Sequence, residues 1–471
     1  MPGAQEFPAY SGLSVRRPTS TRADRMAYGK SLRQQVPRSS LGKWQPRDDR
    51  PDPIEQIIAS HEGRVQSLIP LRVARMLANP FGFLRGAANV CASDSASLPS
   101  TGIMPVICGD AHLGNFGFYR TSDGELVIDL NDFDEAHPGP WEWDLRRLTA
   151  SVWVAGRENG HREDQCAEAV SACVSAYRDE LAILAQQPLL SRVFTRLDVA
   201  RLHDTVSEPT LRDEVERATA KARRKTSDRA LPKLTTPDLE GNRRIIDNPP
   251  ITLRSSAARA AQIGAALDDY LATLPPQWGR VVNGYTLVDV AHKVVGVGSV
   301  GLRSFIALLE GSSPDDVLFL QLKQARRSVL APFVHGEKAH HDHQGQRVVE
   351  YQQALQTASD PLLGWCSLQP GAADESHFYV RQYRNMKGAV VVDGLDAGAL
   401  ADYAKVLGLL LAKGHARTSG ASMISGYVGA SDALPTAFVR FAKAYADQTE
   451  ADHTAMEIAV RQGRLPQPEG E

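Results

Sequence analysis

Two short stretches of this chain gather carboxylates and an amide at spacings that could serve phosphoryl transfer. GDAHLGNF occupies 109–116 and VIDLNDFDEA occupies 127–136. Asn115 follows Asp110 by five residues, and Asp132 and Asp134 come about twenty residues after Asp110. Moving a phosphoryl group needs a carboxylate beside the accepting hydroxyl and oxygen ligands for the Mg²⁺ that bridges the phosphates. Asp110, Asn115, Asp132 and Asp134 supply such a set. Asp and Asn also favour turns, because their side chains bond to nearby backbone. Asp-Phe-Asp alone would therefore carry little weight; its combination with GDAHLGN points to chemistry.

A second stretch lies nearly two hundred residues downstream. GVGSVG at 296–301 satisfies GxGxxG, with Gly296, Gly298, Ser299 and Gly301. Glycines in such a loop let backbone N–H groups approach phosphates. A dinucleotide-binding loop reads the same, but it should open a helix and carry an acid about twenty residues on. Here the glycines lead instead into LRSFIALLEG, a turn signal SSPDD and a strand-like VLFLQLKQA. Lys323 stands in that last apolar run, 22 positions after Gly301. Lysine there is costly unless it is paired. The order resembles the small lobe of protein kinases, in which a strand lysine meets the phosphates and an acid of the next helix. The resemblance implies Lys323 as a catalytic, phosphate-pairing lysine and Glu350 of QRVVEYQQ as its partner. Backbone groups near Gln382 in HFYVRQY would contact adenine. Glu350 is also open to the plainer reading of a solvated helical glutamate.

The first stretch has counterparts as well. GDAHLGNF resembles the HGDxHxxN loop of aminoglycoside and choline phosphotransferases. NDFDEAHPGPWEWDL resembles their IDWxDAxxGDPxxDL segment, and Asp132 and Asp144 keep its separation of 12 positions. This implies Asp110 as catalytic base, Asn115 and Asp132 as Mg²⁺ ligands, and Asp144 as a structural anchor. Asp134 is either a second metal ligand or a turn residue. Cys108 stands where those enzymes carry His. From VPRSS at 36–40 to ADQTEAD near 450, the chain also resembles the uncharacterised bacterial family DUF2252. The marks are FGFLRGAA, GDAHLGNFG, NDFDEA, GVGSVGLR, LQLKQA, GQRVVE, YVRQ and GHARTSG. That family supplies no substrate.

The elements that must position these residues give an α+β, protein-kinase-like two-lobe fold with circularly permuted lobe order. Residues 1–50, with many Arg, Ser and Pro, read as a flexible arm. Residues 51–280 read as a helical lobe carrying the catalytic and metal-binding loops, with a hairpin over 116–130 and a Pro/Thr/Asn-rich loop or flap around 231–250. Residues 281–394 read as a small β-rich nucleotide-binding lobe, and 395–471 as C-terminal helices completing the helical lobe. In kinases the glycine-rich loop precedes the catalytic loop; here the order is reversed. The helix ADYAKVLGLLLAKGHA, which would lead into that loop, lies near the C-terminus. One permutation explains both displacements and predicts that Gly414–Ala416 runs in space toward Gly109 and Asp110.

Several features have quieter readings. Arg85 could reach a phosphate or an acidic substrate, or serve as a buried structural arginine. His112 reads as shaping its loop. His335, His340, His341 and His343 lack regular ligand spacing and read as a solvated loop. Trp141, Trp143 and Trp153 read as core. A net charge of −2 offers no basic excess for nucleic acid. Five scattered cysteines form no CxxC pair, no apolar run spans a bilayer, and the N-terminus lacks a signal-peptide core. The expectation is a cytoplasmic protein with no membrane or nucleic-acid partner.

The reading is therefore an ATP-dependent phosphotransferase, with ATP and Mg²⁺ as cofactors and a hydroxyl acceptor, first among them a small molecule. Two alternatives keep the fold: an ATP-binding pseudokinase with a regulatory role, and an enzyme that transfers AMP. A dinucleotide oxidoreductase leaves Asp110 to Asp134 unexplained. Neither the acceptor nor the oligomeric state is legible.

Overall fold

The computed structural model describes residues 20–294, 298, 300–313, 315–334, 341–372, 374–418 and 420–468. Gly296, Ser299, His335 and His340 lie outside the described residues, as does the arm before residue 20.

The helical body is built around Trp141–Glu158, Glu163–Gln186, Ala397–Ala416, Ala421–Val428 and Ala433–Arg461. LGLLLA in Ala397–Ala416 is apolar on every side, which suits a helix enclosed by neighbours. It packs along Glu163–Gln186, and Leu407, Leu410 and Leu411 are buried with Leu145, Leu148, Trp153 and Tyr177. Among the described residues no helix is long and apolar enough to cross a membrane.

The expected flexible arm is folded from residue 20 onward. Thr21 and Asp24 form a capping box that starts the helix Arg22–Ser31. That helix docks on Ala421–Val428 at backbone distance: a Cβ on Gly29 would lie 1.9 Å from the carbonyl oxygen of Met423. A polar composition concealed this contact, because the interface is made by glycine and backbone rather than by large apolar side chains.

The strands, in chain order, are β1 (Val106–Ile107), β2 (Phe116–Arg120), β3 (Leu126–Leu130), β4 (His137–Pro138), β5 (Thr235–Pro237), β6 (Arg243–Ile245), β7 (Thr252–Arg254), β8 (Thr286–Lys293), β9 (Ser304–Glu310), β10 (Val317–Gln324), β11 (Gly364–Leu368) and β12 (Ser376–Gln382). β2 and β3 form the expected hairpin, and β1 pairs with β4. The main sheet is antiparallel, in the order β11-β12-β10-β9-β8-β7. Period-two alternation gives β10 two faces. Leu318, Leu320 and Leu322 pack with Leu267 and Tyr270 of the helix Ala257–Leu271. Phe319, Gln321 and Lys323 face the other way, where Ile245, Ala291, Ile306 and Leu308 surround Phe319.

The sheet unit reaches further back in sequence than 281: β7 joins it and Ala257–Leu271 covers it. Residues 235–245, read as a loop or flap, form the β5–β6 hairpin. The hairpin is fastened where the Ile245 N–H donates to Asp289 at 2.7 Å. Between β10 and β11 lies the helix Gln344–Leu355, which packs on β11 and β12.

Candidate functional site

β1 delivers the chain into Cys108-Gly109-Asp110, and a buried carboxylate fixes the turn. Asp144, in the first turn of Trp141–Glu158, accepts the N–H of Cys108 at 2.7 Å and of Gly109 at 2.8 Å. An acid in a first helical turn also complements the helix dipole. Gly109 has φ +78°, and a Cβ there would sit 2.5 Å from the carbonyl oxygen of Glu135, so only glycine fits. From the far end of the chain, His415 Nε2 comes within 3.2 Å of Asp144, and Tyr177 Oη lies 2.9 Å from His415 Nδ1. The end of Ala397–Ala416 thus meets the loop at 108–110. Cys108 Sγ donates to the Asp132 carbonyl at 3.2 Å, linking this loop to the next.

Asp110 turns one oxygen toward Arg147, whose Nε and Nη2 lie 2.8 and 2.7 Å from Oδ1. Burial is the largest influence on this carboxyl and pushes its pKa up to about 6, although Arg147 opposes the shift. Asn115 Nδ2 donates to the Asp110 carbonyl at 2.6 Å, which spends its amide nitrogen on the loop and leaves Oδ1 as the atom that could serve a ligand. His112 Nδ1 accepts the Gly114 N–H at 3.0 Å. Burial, with Arg147 and Arg85 nearby, holds the imidazole well below its ordinary pKa, so it is neutral. Its proton therefore resides on Nε2, 3.8 Å from Asp110 Oδ2.

Lys323 enters from β10. Its Nζ lies 2.5 Å from Asp134 and 3.4 Å from Asp132, although about 190 residues separate them in the chain. Burial works against the ammonium, but the two carboxylates outweigh it and raise its pKa. Asp132 is lowered because Lys323, Arg381 and Lys387 together outweigh burial. Asp134 is raised by burial first and by the charge of Asp132 second. Tyr379, opposite Lys323 in the β10–β12 register, donates to Asp134 at 2.9 Å.

Glu350 does not meet Lys323. It is exposed, 2.7 Å from His341 Nε2, and accepts from Gln346 at 2.8 Å. The side of the helix that faces the site presents Arg347 instead, donating to the carbonyls of Asp134, Ala136 and Arg326. With Asp132 and Asp134 already neutralising Lys323, no third acid is required. The Gln382 N–H and side-chain amide both donate to Asp360 at 2.8 Å, so its backbone donor is committed within the protein. Gly298 lines the central cavity. The Gly301 carbonyl accepts the Val65 N–H at 2.8 Å, and the Val300 carbonyl accepts from Arg64 at 2.6 Å. His343 stacks on His377, with ring centroids 4.1 Å apart.

Asp110, Asn115, Asp132, Asp134 and Glu135 share one cavity of about 370 Å³ with Gly298 and five arginines. Among the described residues no group of three or more His, Cys, Asp or Glu side chains converges as a metal cage. A hard cation here would rely on the Asp132 and Asp134 carboxylates, Asn115 Oδ1 and oxygens from outside the protein. That is the ligand habit of Mg²⁺, which uses one or two carboxylates together with phosphates and water. The Asp132 side chain, 40% exposed, is open to such a ligand.

Sequence reasoning passed over Arg147, Arg347, Tyr379, Glu135, Arg64 and Arg72. Glu135 lay within the acidic NDFDEA stretch, and Arg147 one helical turn after Asp144 on a helix that also carries Glu142 and Arg146. The others reach the site only through register or packing.

The chain belongs to DUF2252, a family described as an uncharacterized protein conserved in bacteria, whose model matches residues 64–458. No curated protein and no solved structure matches it.

Proposed function

We propose that the protein is an ATP-dependent phosphotransferase that moves the γ-phosphoryl group of MgATP to a hydroxyl, first among candidates that of a small molecule. The observation that carries this reading is the ion pair of Lys323 with Asp132 and Asp134 in the cavity that also holds Asp110 and Asn115. A kinase-like fold is supported by the sheet order β8-β9-β10-β12-β11, a glycine-rich connection between β8 and β9, and a helix between β10 and β11. Permuted lobe order is supported by His415 reaching Asp144 beside the 108–110 loop.

In this reading Asp132, Asp134 and Asn115 would hold Mg²⁺, whose chemistry there would be neutralisation of phosphate charge. Lys323 adds a positive charge on the same side. Arg147 fixes Asp110 Oδ1, leaving Oδ2 to orient the acceptor hydroxyl and take its proton. The acceptor oxygen bonds to the γ-phosphorus as the bond to the β,γ-bridging oxygen breaks, and ADP departs. A carboxyl with a pKa of about 6 is ionised at neutral pH and still basic enough to receive that proton. Positioning and charge neutralisation supply most of the acceleration.

One observation favours a nucleotide-binding regulator: Lys323 is already neutralised by both aspartates, while Glu350 stands away. ³¹P NMR of the protein with MgATP and a panel of hydroxylated compounds separates the readings. ADP with a new phosphoester, lost in Asp110→Asn, supports transfer. AMP in a new diester or released pyrophosphate indicates adenylyl transfer. Tight binding of ATP that stays intact across the panel favours the regulator.

A further inference from the structure

Several arginines of this protein are matched with acid, while others, such as Arg347 and Arg417, are spent on backbone carbonyls. Arg50 bridges Asp94 and Asp452, Arg147 holds Asp110, and Arg157 meets Glu163, Asp447 and Glu450. Three arginines that line the cavity meet no acid either. Arg64 donates only to the carbonyls of Ser60 and Val300. Arg72, 1% exposed, meets the Gly86 carbonyl at 2.9 Å and His61 Nε2 at 2.8 Å. His61 is neutral, since burial and the neighbouring arginines lower its pKa to about 4. Arg85 makes no hydrogen bond among the described residues and rests 6.0 Å from the Phe81 ring. The Nε atoms of Arg72 and Arg85 are buried without a partner. No described carboxylate lies within ion-pair distance of any of the three.

Removing a guanidinium from water without a counter-ion is strongly unfavourable. Three such groups, in a cavity whose Asp110, Asp132 and Asp134 are already paired with Arg147 and Lys323, amount to a positive site for an anion. Arg64 braces the Val300–Gly301 turn, and Arg85 places the site beside the acceptor loop. Arg85 Nε comes within 3.6 Å of where a Gly114 side chain would begin, on the loop that carries Asp110 and His112. Lys323 serves the Asp132 and Asp134 end.

We infer that Arg64, Arg72 and Arg85 form an oxyanion subsite that binds a phosphate or carboxylate carried by the acceptor, so that the substrate class is an anionic hydroxyl compound. The term acceptor rests on the phosphotransferase reading; the anion subsite itself does not. Guanidinium groups suit planar or tetrahedral oxyanions, which they can grip through two N–H groups at once.

The test is titration calorimetry of the full chain with inorganic phosphate, alone and in saturating Mg²⁺ with a non-hydrolysable ATP analogue. Arg72→Gln sacrifices the bond to Gly86 and Arg64→Gln those to Ser60 and Val300, so Arg85→Gln carries the experiment and Arg64→Gln joins it once its melting temperature matches wild type. Arg85→Gln should melt no lower than wild type without ligand, since that arginine holds no hydrogen bond. Phosphate should bind equally with and without the analogue and weaken about tenfold or more in each variant. The analogue should keep its affinity in Arg85→Gln. Absence of phosphate binding, or binding unchanged in both variants, overturns the subsite. Phosphate displaced by the analogue, or an analogue weakened tenfold by Arg85→Gln, assigns these arginines to the nucleotide and overturns the acceptor assignment. An analogue that fails to bind while phosphate still needs Arg85 leaves the subsite standing and removes the phosphotransferase reading.

Discussion

Asp144→Ala removes the acceptor for two backbone N–H groups in a place that water does not reach. The side chain is 0% exposed, and the Cys108 and Gly109 donors it receives at 2.7 and 2.8 Å have no other acceptor among the described residues. A stranded buried donor costs about 1–3 kcal/mol, so the pair should cost about 2–6 kcal/mol, before the loss of the contact with His415. Against a domain stability of about 5–15 kcal/mol, this is a large fraction. Asp144→Asn keeps one carbonyl oxygen and should lose roughly half as much. Urea unfolding of the three proteins gives the differences from their midpoints, at constant slope. Hydrogen exchange at the Cys108 and Gly109 amides should report the same loosening locally. A loss below about 1 kcal/mol for the alanine variant, with both amides still protected, would refute the brace. It would also weaken the case that His415 ties the helix Ala397–Ala416 to the 108–110 loop through Asp144.

The same geometry has other consequences. For Asp110, whose pKa is raised from 3.8 to about 6, the folded state prefers the protonated form. Its contribution to stability is therefore complete below pH 3.8 and is lost as pH rises through about 6. As a base it must be ionised, so the transfer rate should climb through about pH 6, and a rate flat from pH 5 to 8 would exclude this role. Lys323→Met leaves Asp132 and Asp134 facing each other without a described cation at ion-pair distance, with Arg381 and Lys387 acting only from further off. Because Asp132 is 40% exposed, the destabilisation should fall near the lower end of the roughly 3–5 kcal/mol seen for broken buried pairs. An unchanged melting temperature at pH 7 would contradict it. Gly29→Leu places a side chain where Met423 backbone already lies, so residues 22–31 should lose exchange protection while the β10 amides keep theirs. Full protection of both segments would mean that the two helices can slide apart at no cost.

What was legible in the sequence was chemistry held within short range. GDAHLGNF and NDFDEA lie some twenty residues apart across a hairpin whose turn residues and β-branched strands are local signals, so Asp110, Asn115, Asp132 and Asp134 could be grouped before any fold was known. Lys323 was legible as an anomaly, since a charge in the middle of VLFLQLKQA demands a partner. Which partner it finds was not legible. Glu350, an acid of the QRVVEYQQ helix, was the candidate, but helix rotation turns it to His341 and presents Arg347, while the β10 register brings Lys323 to Asp132 and Asp134. Arg64, Arg72 and Arg85 were likewise unreadable as a group, because side chains from separate helices acquire a common cavity only when those helices pack.

The sequence by itself determined the reactive residue types, the local turns that present them and the alternation that gives each strand two faces. These depend on backbone geometry over a few residues. Only the tertiary structure decided which charges neutralise one another, which arginines remain without acids, and that His415 closes on Asp144 from the opposite end of the chain. Those outcomes depend on burial and on distances between elements, and a charge left without a partner is costly only once packing has taken it out of water.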